Sequence, residues 1–206
     1  GSAALELQRR GLGDLIGAKA KERSNAYLRE TMNDGSVWSV MLVSWPLVQF
    51  EPTDTAAATL GRAEDGAVVS LQTTNARGGR VALFGAAGPD SFVSVLSTSR
   101  RRQLLDAFDW VSGGKLPVLA ETACRAFVIP RVTESGDLRA VAVVNASIGR
   151  QDPVRLRLRG VAPGRASAVW HTPEAANVAL DIRREGGDAA VVLPPLDGWH
   201  CGWLEL

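Results

Sequence analysis

Four side chains able to do chemistry crowd the end of the sequence, Trp199, His200, Cys201 and Trp203 in "LPPLDGWHCGWLEL" (193–206). A neighbouring His and Cys suggest metal ligation or a thiolate, and two tryptophans suggest a stacking surface for sugar rings. A strand has a period of two, which puts Trp199, Cys201, Trp203 and Glu205 on one face and His200, Gly202, Leu204 and Leu206 on the other. His200 and Cys201 therefore point apart, and neither makes a recurrent zinc spacing with His171 or Cys124. The sequence predicts no metal site and no cofactor. Trp199 and Trp203, with Trp170 upstream, are the candidate carbohydrate-binding residues, although the high average burial of tryptophan favours packing in a core.

Other nucleophiles and acids are weaker. Cys124, in "AETACRAFV", enters a strand without the tight glycine turn that exposes a catalytic thiolate. With no disulfide framework possible from two cysteines, Cys124 and Cys201 read as buried thiols. Glu51 and Asp54 in "FEPTD" could serve a glycosidase, but spacing alone does not set two carboxylates across a sugar bond. Arg155, Arg157 and Arg159 alternate with Leu156 and Leu158, as on a half-buried strand. Arg100, Arg101 and Arg102 open a helix at its positive end, which calls for a compensating acid or a contact with another part of the protein. "NARGGR" leads into a strand rather than a helix, so it is a hairpin turn and not a phosphate cradle. No catalytic residue is assigned.

The elements that must carry these residues change character along the chain. "SAALELQRRGLGDLIG" places Ala3, Ala4, Leu7 and Gln8 at helical spacing and stops at Gly11. Val37–Val43, Leu47–Phe50, Ala67–Thr73 and Arg80–Phe84 read as strands, the last two joined by a turn at Asn75, Gly78 and Gly79. "STSRRRQLLDAFDWVSGG" is a helix with Leu104, Leu105, Phe108 and Val111 on one face, a serine or threonine cap, and Gly113–Gly114 as its stop. Strand Arg80–Phe84, loop and helix together make an α/β element. From about Thr122 the pattern becomes short strands: Arg125–Val132, Leu138–Asn145, Val154–Arg159, Ser167–His171, Val178–Arg183, Ala189–Leu193 and Trp199–Leu206. Turn residues punctuate them at intervals of roughly 8–12 residues, which predicts an antiparallel β-sandwich.

The 206 residues, 46% hydrophobic and 22% charged, suffice to bury a core. A net charge of +1 lacks the field that nucleic-acid binding requires, so no nucleic-acid partner is expected. The most apolar stretch, Val37–Phe50, is too short to span a bilayer, so no membrane partner is expected either. No charged segment followed by an apolar run marks a secretory signal at the start.

In order, "LQRRGLGDLIG", "GGRVALFG", "STSRRRQLLDAFDWVSGGKLPVLAETACRAFVIPR", "AVAVVNASIG" and "VVLPPLDGWHCGWLEL" resemble the C-terminal half of bacterial glycoside hydrolases of the β-galactosidase type. The resemblance implies a partial α/β domain, amidotransferase-like and flavodoxin-like, over residues 1–121, followed by an all-β antiparallel sandwich over 122–206. It also implies a non-catalytic accessory region with a structural or carbohydrate-contacting role. The implied partners are an upstream catalytic domain of the parent protein or another copy of the chain, and carbohydrate. By the same resemblance Ser2 lies near the elbow where amidotransferases carry their cysteine, yet no cysteine with flanking glycines and no nearby His-x-Glu pair is present to support glutaminase activity. Two alternatives stand beside this reading. One is a hydrolase fragment using Ser2, Glu51 or Asp54; the other is a stand-alone carbohydrate-binding module presenting two coplanar aromatics from Trp45, Trp170, Trp199 and Trp203.

Overall fold

A computed structural model describes residues 2–23, 27–41, 47–86, 97–122 and 124–206; Trp45 and the end of the expected strand Val37–Val43 lie outside them. The described residues fall into two compact units, Gly1–Gly114 and Lys115–Leu206.

The first unit opens with helix α1 (Ser2–Arg9), which gives way to Gly11 at φ +73°, and with a 3-10 turn at Gly13–Leu15. Strands β1 (Ala18–Arg23) and β4 (Leu47–Pro52) pair with each other, while β2 (Tyr27–Met32), β3 (Val37–Met41), β5 (Ala58–Ala63), β6 (Val68–Thr74) and β7 (Arg80–Phe84) form a five-stranded sheet in the order β3-β2-β5-β6-β7. The β6–β7 turn is tied by Asn75, whose Oδ1 accepts from the backbone N–H of Arg77 at 3.0 Å and of Gly79 at 2.8 Å. Ala18 and Ala20 of β1, Val48 and Phe50 of β4, and Leu71 and Leu83 of the sheet share a core with Ala4 and Leu5 of α1. Gly85 fixes the approach of β4 to β6: its N–H donates to Val69 O at 2.6 Å, and its carbonyl accepts from Val48 N at 3.2 Å. A Cβ there would lie 2.0 Å from Val48 O, so only glycine fits.

Helix α2 (Thr98–Val111) is capped by Ser97, whose side chain accepts from Arg100 N, and ends at Gly113 and Gly114, both at positive φ. The stripe it buries is Arg100, Gln103 and Ala107, whereas Phe108 and Val111 are exposed and Leu104 and Leu105 are half-buried. The expected apolar face is thus turned outward. The acid that compensates Arg100 is Glu30 of β2 in the same unit, and Arg102 pairs with Asp106 one turn on.

The expected α/β, flavodoxin-like first domain is overturned. Every strand pairing among the described residues is antiparallel, and α2 does not lead back into a parallel strand of its sheet. A doubly wound sheet requires crossover helices between parallel strands. Here β6 and β7 form a hairpin, and the segments around them form strands β1, β2 and β5. These have weak signals because their inward positions hold small or polar residues: Ala18 and Ala20 in β1, Glu30 in β2, Gly61 and Ala63 in β5. The protein is mostly β, with two α-helices among the described residues.

In the second unit β8 (Val118–Ala120), β11 (Val154–Leu158), β14 (Arg183–Glu185) and β15 (Asp188–Leu193) form a sheet ordered β14-β15-β11-β8. Strands β9 (Ala126–Val132), β10 (Leu138–Asn145), β12 (Ser167–Thr172), β13 (Ala175–Asp181) and β16 (Cys201–Glu205) form the other, ordered β13-β12-β16-β10-β9. Their inner residues, among them Val141, Val143, Leu156, Leu158, Trp170, Val191 and Leu204, make one continuous core. On the opposite side of β11, Arg155 and Arg157 donate to Glu121 at 2.7 and 2.8 Å. Burial alone would raise the Glu121 pKa, but these hydrogen bonds and charges outweigh it and hold the carboxyl below its ordinary 4.5. A depressed pKa stabilises the fold above the unfolded-state value and ceases to as pH falls through the folded one. Glu121→Gln is therefore expected to cost on the order of 1 kcal/mol at pH 7 and progressively less as pH falls through the folded-state value. Urea midpoints taken from pH 7 to pH 3 check this, and parallel curves for the two proteins would refute it.

Candidate functional site

The exterior of the five-stranded sheet of the second unit gathers the terminal motif. In β16 the alternation leaves Cys201, Trp203 and Glu205 exposed while Gly202, Leu204 and Leu206 turn inward. A two-layer sandwich has one interior, so the tryptophan face is the outside of the sheet and not the core that tryptophan burial favours. Trp203 is 43% exposed.

Cross-strand register fixes its neighbours. His171 of β12 is directly opposite Trp203 on one side, and Ala142 of β10 on the other, followed by Ile129 of β9. The next row along the strands reads Val169, Glu205, Ala140 and Arg131. The His171 and Trp203 rings stack with centroids 4.8 Å apart and planes 6° from parallel. Their separation equals the strand spacing, so both rings stand upright from the sheet. Glu205 Oε2 lies 3.1 Å from His171 Nε2, which orients the imidazole.

Trp199 precedes the strand at φ +60°, the one positive value among non-glycine residues described. A bulky residue in this region costs about 1–2 kcal/mol and must be held there. Its N–H bonds the carbonyls of Asn145 and Ser147, both at 3.1 Å. Buried Asn145 is the organiser: its amide donates to Gly149 O and Leu196 O, each at 2.9 Å, and its Oδ1 accepts from Ser147 Oγ at 2.7 Å. The strained turn leaves the indole 68% exposed.

The remaining candidates separate from this surface. Trp170, adjacent in sequence to His171, points the other way and is 3% exposed in the core. Of the two cysteines, both free, Cys124 is buried, but Cys201 is exposed because it shares the tryptophan face. His200 sits in the turn, with Nδ1 3.9 Å from Glu174. Among the described residues no three His, Cys, Asp or Glu side chains gather for a metal ion. In the first unit Ser2 starts α1, and its buried hydroxyl has no hydrogen-bond partner among the described residues, so none of their side chains is bonded to it as a base. Asp54 accepts from Ala56 N in a tight turn, and with Asp14 lines an open cleft of about 820 Å³; Glu51 is exposed.

Sequence reasoning missed the apolar wall beside Trp203, formed by Phe127 and Ile129 at 65% and 56% exposure. The signal was present. "AFVIPRV" is apolar at both parities, so whichever face packs inward, the other is apolar too.

No protein-family model matches the sequence, and no curated protein does. Among solved structures the fold is similar to part of alpha-L-fucosidase isoenzyme 2 from Paenibacillus thiaminolyticus, with a TM-score of 0.53 at 12% identity. The match covers 92% of this chain and 33% of the fucosidase, so the chain spans about a third of that protein's length. At this identity the likeness concerns the fold.

Proposed function

We propose that the chain is a non-catalytic accessory region of a carbohydrate-active enzyme, and that the outer sheet face of its second unit contacts carbohydrate. The observation that carries this is the braced, exposed indole of Trp203, with a carboxylate in the adjoining row and Trp199 held outward on a strained turn. An indole offers a flat apolar body to the C–H face of a sugar, and a carboxylate accepts from its hydroxyls. Similarity to part of a fucosidase fold supports the enzyme class.

Affinity gel electrophoresis against a panel of plant and bacterial polysaccharides tests the proposal. One glycan is expected to retard the wild-type chain, with Trp199→Ala weakening and Trp203→Ala abolishing the retardation while the circular dichroism spectrum is unchanged. Absence of retardation by every glycan would refute sugar contact.

A further inference from the structure

The row His171, Trp203, Ala142, Ile129 crosses four adjacent strands, and its third position carries no more than a methyl group. Two upright rings occupy the first two positions at 4.8 Å spacing, and Ile129 stands at the fourth. Trp203 and Ile129 are therefore two strand spacings apart, about 9.6 Å between backbones. Subtracting the half-thickness of an indole and the bulk of an isoleucine leaves a slot as wide as one saturated six-membered ring. Half-buried Ala142 is its floor. In the next row Glu205 and Arg131 face each other across Ala140. Both are exposed, and the Arg131 side chain has no hydrogen-bonding or ionic partner among the described residues.

We infer that this slot is a subsite for a single pyranose ring of a neutral glycan, standing edge-on to the sheet. The inference deepens the proposed function and rests on it. One ring face stacks on the indole surface that His171 leaves open, the other meets Ile129, and hydroxyls on the edge toward Ala140 bond Glu205 as acceptor and Arg131 as donor. A flat aromatic ligand would leave that charged pair unused, whereas a pyranose presents an apolar face and a polar rim together. His171 is a positioning residue: its stack holds the indole upright and it touches no sugar.

The test uses the full chain, a set of methyl pyranosides, and the glycan that retards the wild type. Binding is followed by the indole N–H resonance of Trp203, assigned through Trp203→Phe. Ala142→Leu fills the slot while keeping both exposed tryptophans, and Ala142→Ser leaves it open and controls for folding. The expected result is a shift of the Trp203 resonance with at least one pyranoside, an affinity loss of tenfold or more in Ala142→Leu, and near wild-type binding in Ala142→Ser. Undiminished glycan binding by Ala142→Leu, with loss in Trp203→Ala, would overturn the slot and leave the proposed function standing. No glycan binding by any form, with a dimer that Ala142→Leu dissociates, would overturn both and make this face a protein interface.

Discussion

Glu30→Ala is expected to lower the stability of the protein by about 3–5 kcal/mol, the cost of removing one partner from a buried ion pair. Glu30 is 0% and Arg100 2% exposed, with Arg100 Nη1 3.3 Å from Glu30 Oε2. Gln103 closes the group by donating to Glu30 Oε1 at 2.9 Å and accepting from Arg100, which also donates to Ala86 O at 3.1 Å. The guanidinium lies 4.5 and 4.6 Å from the ring centroids of Trp38 and Phe84. Burial lowers the Arg100 pKa and the Glu30 charge opposes that shift. Without Glu30 the cation keeps its desolvation cost and loses its counter-charge, so Glu30→Ala does more damage than an apolar replacement of both. The double substitution Glu30→Leu with Arg100→Met is expected to recover most of the loss. Urea denaturation of the three proteins decides it. A loss under 1 kcal/mol in Glu30→Ala would mean that water reaches the pair in solution.

This pair also explains what the sequence hides. Strand β2 alternates Leu28, Glu30 and Met32 inward, so its apolar periodicity is broken by a carboxylate where the core needs one. Gly61 of β5 makes room for it: a Cβ there would lie 1.9 Å from Glu30 Oε1. Neither residue type signals a strand by itself, and the partner that justifies them is seventy residues away on a helix whose apolar face misleads. In the second unit the inward positions of β10, β11, β12, β15 and β16 are mostly apolar, so these strands lie close to where alternation places them, whereas the expected strand Val178–Arg183 is divided between β13 and β14, which join different sheets. The candidate surface was half legible for a related reason. Period two separates the Trp203 face from the Leu204 face, but which one is the interior depends on the opposing sheet. That information sits in the packing of β11 and β15 against the motif, not in the alternation of the motif itself. Trp199 escaped the period because a left-handed turn, not the strand, sets its direction.

The glycine between Cys201 and Trp203 gives the terminal motif its second large effect. A Cβ on Gly202 would meet Trp170 Cζ2 at 2.3 Å, Cη2 at 2.6 Å and the carbonyl of His171 at 2.8 Å. Ordinarily the far end of a side chain yields, but this indole is 3% exposed within a packed core and has nowhere to go. Gly202→Ala is expected to cost about 3 kcal/mol, at the upper end of overpacking, and Trp170→Ala about 3–5 kcal/mol through the cavity it leaves. Because the two side chains contend for one volume, the losses are not additive. In a Trp170→Phe background, which removes the atoms nearest the glycine, Gly202→Ala is expected to cost at least 1 kcal/mol less than in the wild type. The His171 carbonyl keeps part of the penalty. The same displacement reaches the outer face: pushing Trp170 outward shifts β12, and with it the imidazole one residue on that braces Trp203. Gly202→Ala should therefore broaden or move the Trp203 indole resonance although the substituted atom lies on the opposite side of the sheet. An unchanged resonance, together with additive stabilities in the double-mutant cycle, would show that the core and the tryptophan face are independent.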